Sequence, residues 1–479
     1  MFDRIASVLL LMACMGWGCG PAVAKPNFSP AALEELRQAG YSVAPGQVVW
    51  YTIESTSAAR PVGPAGGFYV NNPLTLYGGI EIPTGQAPSG SLTDIFELDG
   101  DAVIALHGVT PPPITYFSFT MNEFSRHNPS TGRQVQTNSS IGLSTNNVTL
   151  KTVEGRPFNA SFVLLVSAKR SAIRQAKSFF MRQGVPEQAI NTLLIPHRFT
   201  RQSAEFPSRL NFLTRLTYRT EAEKSAVDSY TLRRPAPMEV LFFRGPGAAG
   251  DVEDADLPRW EDLIREDRSE FAGATPAELD MLNARVMQHY AAQGYRVKNE
   301  GPDGIRHIDP DRDCRDIWGT CNYDAPDATY GGFYCPTPEG GTRRCSGFLP
   351  GNDDRAVVVG VNHHRFGQDQ LLTYFNYSVT RLTDLQGVVT LADLDIAGSA
   401  APFLPDLPHH ADYFVLTVAR DCRGEPFCME VPYEDGPGGP GLPKFGAVEV
   451  SVRMYLDKLT GTAPNPLNFL PARVYWLTR

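Results

Sequence analysis

The segment DAVIALHGVTPPPITYFSFTMNEFSR, residues Asp101 to Arg126, decides the expected fold because a related segment returns in the second half of the chain. The second copy is RAVVVGVNHHRFGQDQLLTYFNYSVTRL, residues Arg355 to Leu382. In each copy an apolar β-rich run leads through a polar or proline-rich link to a second strand. The strings TYFSFT from Thr115 and TYFNYS from Thr373 match type for type. We therefore expect equivalent core hairpins.

A third strand repeats as well, since FVLLV at Phe162 corresponds to FVLTV at Phe414. The sequence predicts a mainly β protein with a few helices (α+β), built as two related antiparallel β-sandwich-like domains from an internal duplication. Phe117 and Phe375 should occupy the same position in the two cores. Tyr116 and Tyr374 should then lie on the opposite, wet faces, because side chains alternate along a strand. 

Length and composition agree with two domains. A chain of 479 residues with 42% hydrophobic content can bury more than one core, and 43 Gly with 39 Pro favour many turns between short strands. The net charge is -9, and the sequence has no basic stripe that would neutralise a phosphate backbone, so nucleic acid is not the expected partner. The string GPGAAGDVEDAD at 245–256 has linker composition. It divides a first β-rich domain, 25–244, from a linker and helical connection, 245–300, and a second β-rich domain, 301–479.

Helices are predicted at three places. One follows Ser29-Pro30 and ends at Gly40, and one spans Ser171 to Gln183. The third begins at the capping box Thr275-Pro276-Ala277-Glu278 and ends at Gly294. We expect the second to form a crossover unit with the apolar run after it. Strands are predicted at 48–53, 74–82, 138–150, 190–195, 210–219, 238–244, 356–361, 371–380, 413–419, 447–456 and 473–477.

Residues 1–24 have the pattern of an export signal, with Arg4 before an apolar run and Ala22-Val23-Ala24 at the cleavage position. Lipidation at Cys14 is the alternative. No later stretch is long and apolar enough to span a bilayer. The expected location is therefore secreted or periplasmic, with a lipoprotein as the second possibility.

The cysteines outside the signal number six, all in the second half, and the count is even. Such a set in an exported chain predicts disulfides, and sequence does not choose among the pairings. The spacings C-x6-C, C-x9-C and C-x5-C lack the close pairs typical of zinc sites. The six are Cys314, Cys321, Cys335, Cys345, Cys422 and Cys428. We expect a disulfide-pinned, irregular segment at 301–350.

Common catalytic motifs are missing from the sequence. No G-x-S-x-G, G-x-x-x-x-G-K-[ST] or H-E-x-x-H string occurs, which argues against the usual serine hydrolases, P-loop proteins and zinc proteases. The run Asp309-Pro310-Asp311-Arg312-Asp313 spaces carboxylates as a calcium loop does, but the glycine and the terminal glutamate of that loop are absent. An exposed acidic turn is the alternative. Asp324 and Asp327 lie between cysteines, where a crosslinked loop could fix a carboxylate, although turn chemistry around Pro326 is the simpler interpretation.

Two histidine doublets stand out among nine histidines, His363-His364 and His409-His410. One imidazole from each, with Asp324 or Asp327, would suffice to bind a divalent metal with an open position. Solvated loop residues are the alternative interpretation. No cofactor is predicted, and a divalent metal remains an open option.

The strings Asn72-Pro73-Leu74-Thr75-Leu76-Tyr77 and Tyr116-Phe117-Ser118-Phe119 resemble the N-x-x-T-L-Y and R-Y-x-S patterns of a bacterial family of exported β-sandwich proteins with no settled activity. The resemblance covers residues 45–185. It implies a fold rather than a reaction.

Two functional hypotheses follow. The first is an exported protein that binds a small molecule or glycan at the junction of two β domains, a usual place for clefts. The second is a secreted carboxylate- or metal-assisted hydrolase with its site in the second domain. The candidate catalytic residues are His363, Asp327 and Tyr374, and the candidate binding residues are Asn362, His364, Asp324 and Tyr116. The sequence leaves the oligomeric state open.

Overall fold

The computed structural model describes residues 30–51, 72–83, 91–201, 208–245, 264, 274–321, 324–337, 342–363, 371–383, 386–434 and 441–479. The predicted export signal at 1–24, with Cys14, lies outside these residues. So do His364 and residues 246–256 of the predicted linker string. We call residues 30–245 the first region and 274–479 the second region.

The first region contains three described α-helices, α1 (Pro30–Gln38), α2 (Arg170–Arg182) and α3 (Glu221–Thr231). Its strands are β1 (Ser42–Tyr51), β2 (Thr75–Pro83), β3 (Leu92–Thr93), β4 (Ala102–Val109), β5 (Tyr116–Asn128), β6 (Arg133–Ser140), β7 (Thr145–Asn146), β8 (Ser161–Ser167), β9 (Ile190–Leu194), β10 (Arg209–Thr217) and β11 (Met238–Arg244).

The second region begins with helix α4 (Pro276–Ala292) and is otherwise built from strands and short turns. These strands are β12 (Arg296–Pro302), β13 (Ala328–Gly332), β14 (Tyr334–Pro336), β15 (Thr342–Arg344), β16 (Ser346–Phe348), β17 (Arg355–Val361), β18 (Tyr374–Arg381), β19 (Gln386–Ala392), β20 (Tyr413–Ala419), β21 (Cys428–Glu430), β22 (Ala447–Tyr455) and β23 (Arg473–Thr478). The predicted mainly β, α+β fold class is confirmed.

The strand order is the same in the two regions. The order β1-β11-β4-β8-β9 in the first corresponds to β12-β23-β17-β20-β21 in the second, and each ends in a parallel pair. The order β2-β10-β5-β6 likewise corresponds to β13-β22-β18-β19. In the first region β1 also pairs with β2 and joins both halves into one curled sheet of 11 strands. In the second region the two halves are separate five-stranded sheets.

The prediction of a core hairpin in each copy is wrong. β4 pairs with β11 and β8, while β5 pairs with β6, β7 and β10, so the two strands of the first copy do not meet. In the second copy β17 pairs with β20 and β23, and β18 with β19 and β22. The link 110–115 is longer than a usual hairpin loop and contains three prolines. It carries the chain from one part of the sheet to another.

Most predicted helices and strands are confirmed to within a few residues, and the crossover is confirmed because β8 and β9 are parallel with α2 between them. Helix α4 begins at its capping box, where the Thr275 hydroxyl accepts from the Glu278 N–H at 3.2 Å and donates to the Glu278 carboxylate at 2.9 Å. The strand predicted at 138–150 is wrong beyond Ser140. Asn138, with a φ of 42°, lies where the pairing of β6 with β5 changes register, and Gly142, with a φ of 69°, follows the end of β6. Only the two residues of β7 return to extended pairing before Leu150.

The six cysteines form three disulfides, each between neighbours in sequence: Cys314–Cys321, Cys335–Cys345 and Cys422–Cys428. The segment 301–350 is less irregular than expected, because β13 and β16 pair with β22, which is distant in sequence. Within the described residues, no helix has the length and apolar character required to cross a membrane.

Phe117 and Phe375 lie fully buried in the cores of their regions, as predicted. The prediction of wet tyrosines is wrong, since Tyr116 and Tyr374 are also 0% exposed. Alternation placed them correctly on the opposite faces of β5 and β18. Those faces are covered because the two regions pack against each other there.

Candidate functional site

The polar faces of β5 and β18 meet at the junction of the two regions. Along each strand the side chains on this face alternate with core residues, and all of them are buried. They are Tyr116, Ser118, Thr120 and Asn122 in β5 and Tyr374, Asn376, Ser378 and Thr380 in β18. A buried polar face requires hydrogen-bond partners, and the other region supplies several of them.

Asp327 of the second region accepts two hydrogen bonds from the first. The Tyr116 hydroxyl lies 2.8 and 2.9 Å from its carboxylate oxygens, and Asn146 Nδ2 donates to Oδ2 at 2.9 Å. Burial raises the pKa of Asp327, opposed in part by the hydrogen bond from Tyr116. Burial, with the nearby Asp327 charge, also raises the pKa of Tyr116 well above its usual range. This fully enclosed pair connects the regions.

Tyr374 of the second region makes a comparable contact with a residue of the first region. Its hydroxyl accepts from Asn72 Nδ2 at 3.0 Å, and Asn376 Nδ2 donates to Asn72 Oδ1 at 2.9 Å. The Tyr374 ring stacks on that of Tyr455 with centroids 4.8 Å apart, and Tyr116 contacts the same ring at 5.2 Å. The tyrosines of the two regions thus share one buried cluster.

Two buried arginines occupy matching positions beside this cluster. Arg215 of β10 donates from Nη1 to the Thr120 hydroxyl at 3.1 Å, and Arg453 of β22 donates from Nη1 to the Ser378 hydroxyl, also at 3.1 Å. The two acceptors match in the aligned strings TYFSFT and TYFNYS. Two guanidinium groups are therefore buried at the junction, with 2% and 3% of each residue exposed.

Each arginine lies in register with a tyrosine of the neighbouring strand, Arg215 with Tyr77 and Arg453 with Tyr330. Both tyrosines belong to a repeated pattern, P-x-x-x-Y-G-G, found at 73–79 and again at 326–332. Each segment also carries residues of separate interest, the string 72–77 in the first and Asp327 in the second. This alignment is the signal that would have identified β2 and β13 as equivalent.

A cavity of about 340 Å³ opens at the junction on the side of the second region. Its walls combine guanidinium groups, phenols, carboxylates, hydroxyls and glycines. They are formed by Tyr77, Arg215, Gly304, Arg306, Ile308, Cys321, Asp324, Tyr330, Gly331, Gly332, Tyr334, Thr380, Glu449, Ser451, Val452, Arg453 and Tyr455. The volume is at the lower end of the roughly 300–1,000 Å³ typical of small-molecule pockets.

Asp324, a predicted binding residue, is part of the cavity wall. Its carboxylate accepts from the Ser140 N–H at 2.8 Å and from the Ser140 hydroxyl, and its main-chain oxygen accepts from Arg215 Nη2 at 3.1 Å. Burial raises the pKa of Asp324, and the Ser140 hydrogen bonds oppose that shift. The carboxylate is therefore fixed in orientation by the first region.

His363 lies away from this junction. Its ring packs against Phe375 and Phe469 in the core of the second region, at centroid distances of 6.0 and 4.9 Å. Burial lowers its pKa to about 3. Phe375 and Tyr374 are on opposite faces of β18, so the sheet separates His363 from Tyr374. The structure does not bring the predicted catalytic residues His363, Asp327 and Tyr374 together.

Asn362, a predicted binding residue, donates from Nδ2 to the Asp393 main-chain oxygen at 3.2 Å. Its main-chain N–H donates to the Asp412 main-chain oxygen. It is buried and is not part of the cavity wall. His409 Nε2 contacts the Glu278 carboxylate at 3.1 Å beside the start of α4, and His410 Nδ1 contacts the Leu407 main-chain oxygen at 3.0 Å, whereas His363 packs among phenylalanine rings. The doublets thus do not supply a shared pair of imidazoles in the described structure.

The acidic run at 309–313 forms a short helical turn whose carboxylates pair with arginines. Asp313 contacts Arg306 and Arg312, both at 3.2 Å, and Asp311 contacts Arg315 at 2.9 Å. These ion pairs replace the calcium-loop arrangement considered from the sequence. Across the described ranges, no group of three or more His, Cys, Asp or Glu side chains is placed to hold a metal ion.

Comparisons with known proteins give little further information. No family model matches the chain, and no curated protein matches it. A solved structure, the VPA0106 protein from Vibrio parahaemolyticus, is similar over 85% of this chain and 90% of its own, with 9% identity and a TM-score of 0.37. The M60 catalytic domain with two CBM51 domains from Clostridium perfringens ZmpB aligns over 91% of this chain and 38% of its own, with 9% identity and a TM-score of 0.12.

Proposed function

We propose that the protein binds a small molecule in the cavity at the junction of its two regions. The observation that carries this proposal is the concentration of buried polar groups around one open volume. Arg215 and Arg453 are both almost wholly buried, and both are part of the cavity wall together with Asp324. Buried charged groups are stable only with polar partners around them, and a polar ligand in the cavity would add such partners.

The position of the cavity supports the same proposal. Ligand sites occur preferentially where two structural units meet, and here both regions contribute to the wall. Tyr77 and Arg215 come from the first region, and the other side chains come from the second. A hydrolase is not proposed, because His363, Asp327 and Tyr374 do not form one group in the described structure.

We further propose that the two regions derive from one duplicated unit. The identical strand orders support this, as do the matched contacts of Arg215 and Arg453. The chain also repeats the string G-Y-x-V directly after α1 and after α4, from Gly40 and from Gly294. In a single sandwich the polar faces of β5 and β18 would be exposed to solvent. In a pseudo-symmetric pair of regions these two faces cover each other.

Export is proposed on the basis of the three disulfides, since such crosslinks persist in oxidising compartments outside the cytoplasm. Under this proposal the ligand is an extracellular or periplasmic small molecule. 

Ligand-observed NMR on the mature chain tests the binding function. A library of small polar metabolites is screened against the wild type and the Gly332→Val variant. A side chain at Gly332 points into the cavity, where an added Cβ meets only Glu449 Oε1 at 2.9 Å. At least one compound should bind the wild type and lose its signal with Gly332→Val. Gly351→Ala serves as the control, because its Cβ would meet only Asp354 at 3.4 Å, away from the cavity. Equal hit lists for all three proteins contradict the proposal.

A further inference from the structure

Two hydroxyl groups in the cavity wall lack hydrogen-bond partners within the described residues. They are Thr380 Oγ1 and Ser451 Oγ. Thr380 is 3% exposed, and the two residues are on the paired strands β18 and β22. Leaving a buried hydroxyl unpaired is unfavourable, so a ligand that pairs with it is favoured. Both hydroxyls can donate and accept, which matches the hydroxyl groups of a ligand.

The charges around the cavity are mixed in sign. Arg215, Arg306 and Arg453 are opposed by the carboxylates of Asp324 and Glu449. An anionic ligand would be attracted by the guanidinium groups and repelled by the carboxylates within the same small volume. A neutral ligand with several hydroxyls can accept from the former and donate to the latter without that conflict.

One wall of the cavity is aromatic. The Tyr334 ring lies directly over Gly304, since a Cβ there would be 2.5 Å from Tyr334 Cε2. Both residues are part of the wall, as is Tyr455, whose ring is held by Tyr374. The face of a tyrosine ring is apolar and its tip is polar. Such a surface suits a ligand with a C–H face and hydroxyl groups at its edge.

From these three features, and resting on the proposed function, we infer that the ligand is a neutral sugar, a mono- or disaccharide by the size of the cavity. Thr380 and Ser451 pair with its hydroxyls, the arginines and Glu449 bracket its edge, and Tyr334 covers its C–H face. None of these residues was predicted from the sequence.

Isothermal titration calorimetry of the full mature chain tests the inference with two sets of probes. The neutral set is glucose, galactose, mannose, N-acetylglucosamine, maltose and cellobiose, and the anionic set is citrate and inorganic phosphate. We expect saturable binding of at least one neutral sugar. Thr380→Val and Ser451→Ala should each raise its Kd about 3- to 10-fold, the equivalent of one lost hydrogen bond. Thr131→Val, on the exposed turn before β6, should leave Kd unchanged.

The outcomes separate the two proposals. If citrate or phosphate binds, and Gly332→Val abolishes that binding while no neutral sugar binds, the sugar inference is overturned and the small-molecule function stands. A sugar whose Kd is unchanged in both Thr380→Val and Gly332→Val binds elsewhere, which also overturns the inference. Binding by neither set overturns it too, and the metabolite screen then decides the broader function. Gly332→Ala replaces Gly332→Val if circular dichroism shows that the larger side chain prevents folding.

Discussion

The tyrosine-glycine-glycine segments of the two regions have the same place in their sheets but different surroundings. In the first region the side of Gly79 that faces the junction is covered by the phenol of Tyr51. In the second region the matching Gly332 opens onto the cavity, and Gly304 is part of the wall beside it. The comparison shows that the backbone plan does not create the cavity. The side chains at the end of the neighbouring strand decide whether that space is filled.

The largest expected effect tests whether the two cores are equivalent. Phe117→Ala and Phe375→Ala should each lower the free energy of unfolding by about 3–5 kcal/mol, because each deletes a fully buried ring. Urea unfolding of each variant measures the change. If one substitution costs less than about 1 kcal/mol, below the usual range for a buried ring, the positions are not equivalent.

The junction tyrosines should differ from each other. Tyr116→Phe removes a hydrogen bond to the buried Asp327 carboxyl and should cost about 1–3 kcal/mol. Tyr374→Phe removes an acceptor for the neutral Asn72 amide and should cost about 0.5–1.5 kcal/mol. Thermal unfolding of both variants gives the comparison. A larger loss for Tyr374→Phe would show that the carboxylate contact does not hold the regions together.

The matched glycines sharpen the contrast between filled and open space. An added Cβ at Gly79 would lie 3.1 Å from the Phe212 main-chain oxygen and would collide with Tyr51, so Gly79→Ala should cost about 1–3 kcal/mol as overpacking. Gly332→Ala meets only one flexible carboxylate and should cost less. Denaturant midpoints of the two variants decide the matter. Equal losses would mean that Gly332 is as closely covered as Gly79.

The two regions also differ in the residue that lies next to the first glycine of each pair. A Cβ at Gly78 would lie 2.6 Å from the Trp50 ring, whereas at Gly331 it would lie 2.9 Å from Asp303 Oδ2. Burial raises the pKa of Asp303 well above its usual range, opposed in part by the Gly304 N–H. The folded state then holds a proton that the unfolded chain releases near pH 4. 

Stability from this group therefore falls as pH rises from about 4 towards the raised pKa, by up to about 1.4 kcal/mol per pH unit. Asp303→Asn should flatten this part of the pH profile. Urea midpoints between pH 4 and pH 7 for wild type and variant test it. Parallel profiles would show that Asp303 does not hold a proton in the folded protein.

Local patterns predicted the elements well, because they depend on near neighbours. The capping box at Thr275 and the β8-α2-β9 crossover are examples. The burial of Tyr116 and Tyr374 could not be predicted in this way. Alternation assigns a side chain to a face of a strand, but what covers that face depends on residues from the other region, such as Asp327 and Asn72.

Two of the predicted binding residues lie at the junction, Asp324 in the cavity wall and Tyr116 in the adjoining tyrosine cluster. Their role in binding stays a prediction. Arg215 and Arg453 were missed because a single arginine in a strand usually faces solvent. His363 was selected for its scarcity and its place at a strand end, yet a neutral imidazole packs in a core as other aromatic rings do.

A crystal structure of the mature protein with a ligand that binds it tests the central claim most directly. The account predicts ligand density at the junction of the two regions, between Arg215 and Arg453, with hydrogen bonds to the Thr380 and Ser451 hydroxyls. Density for the ligand at another surface, with the junction cavity occupied only by water, would contradict it.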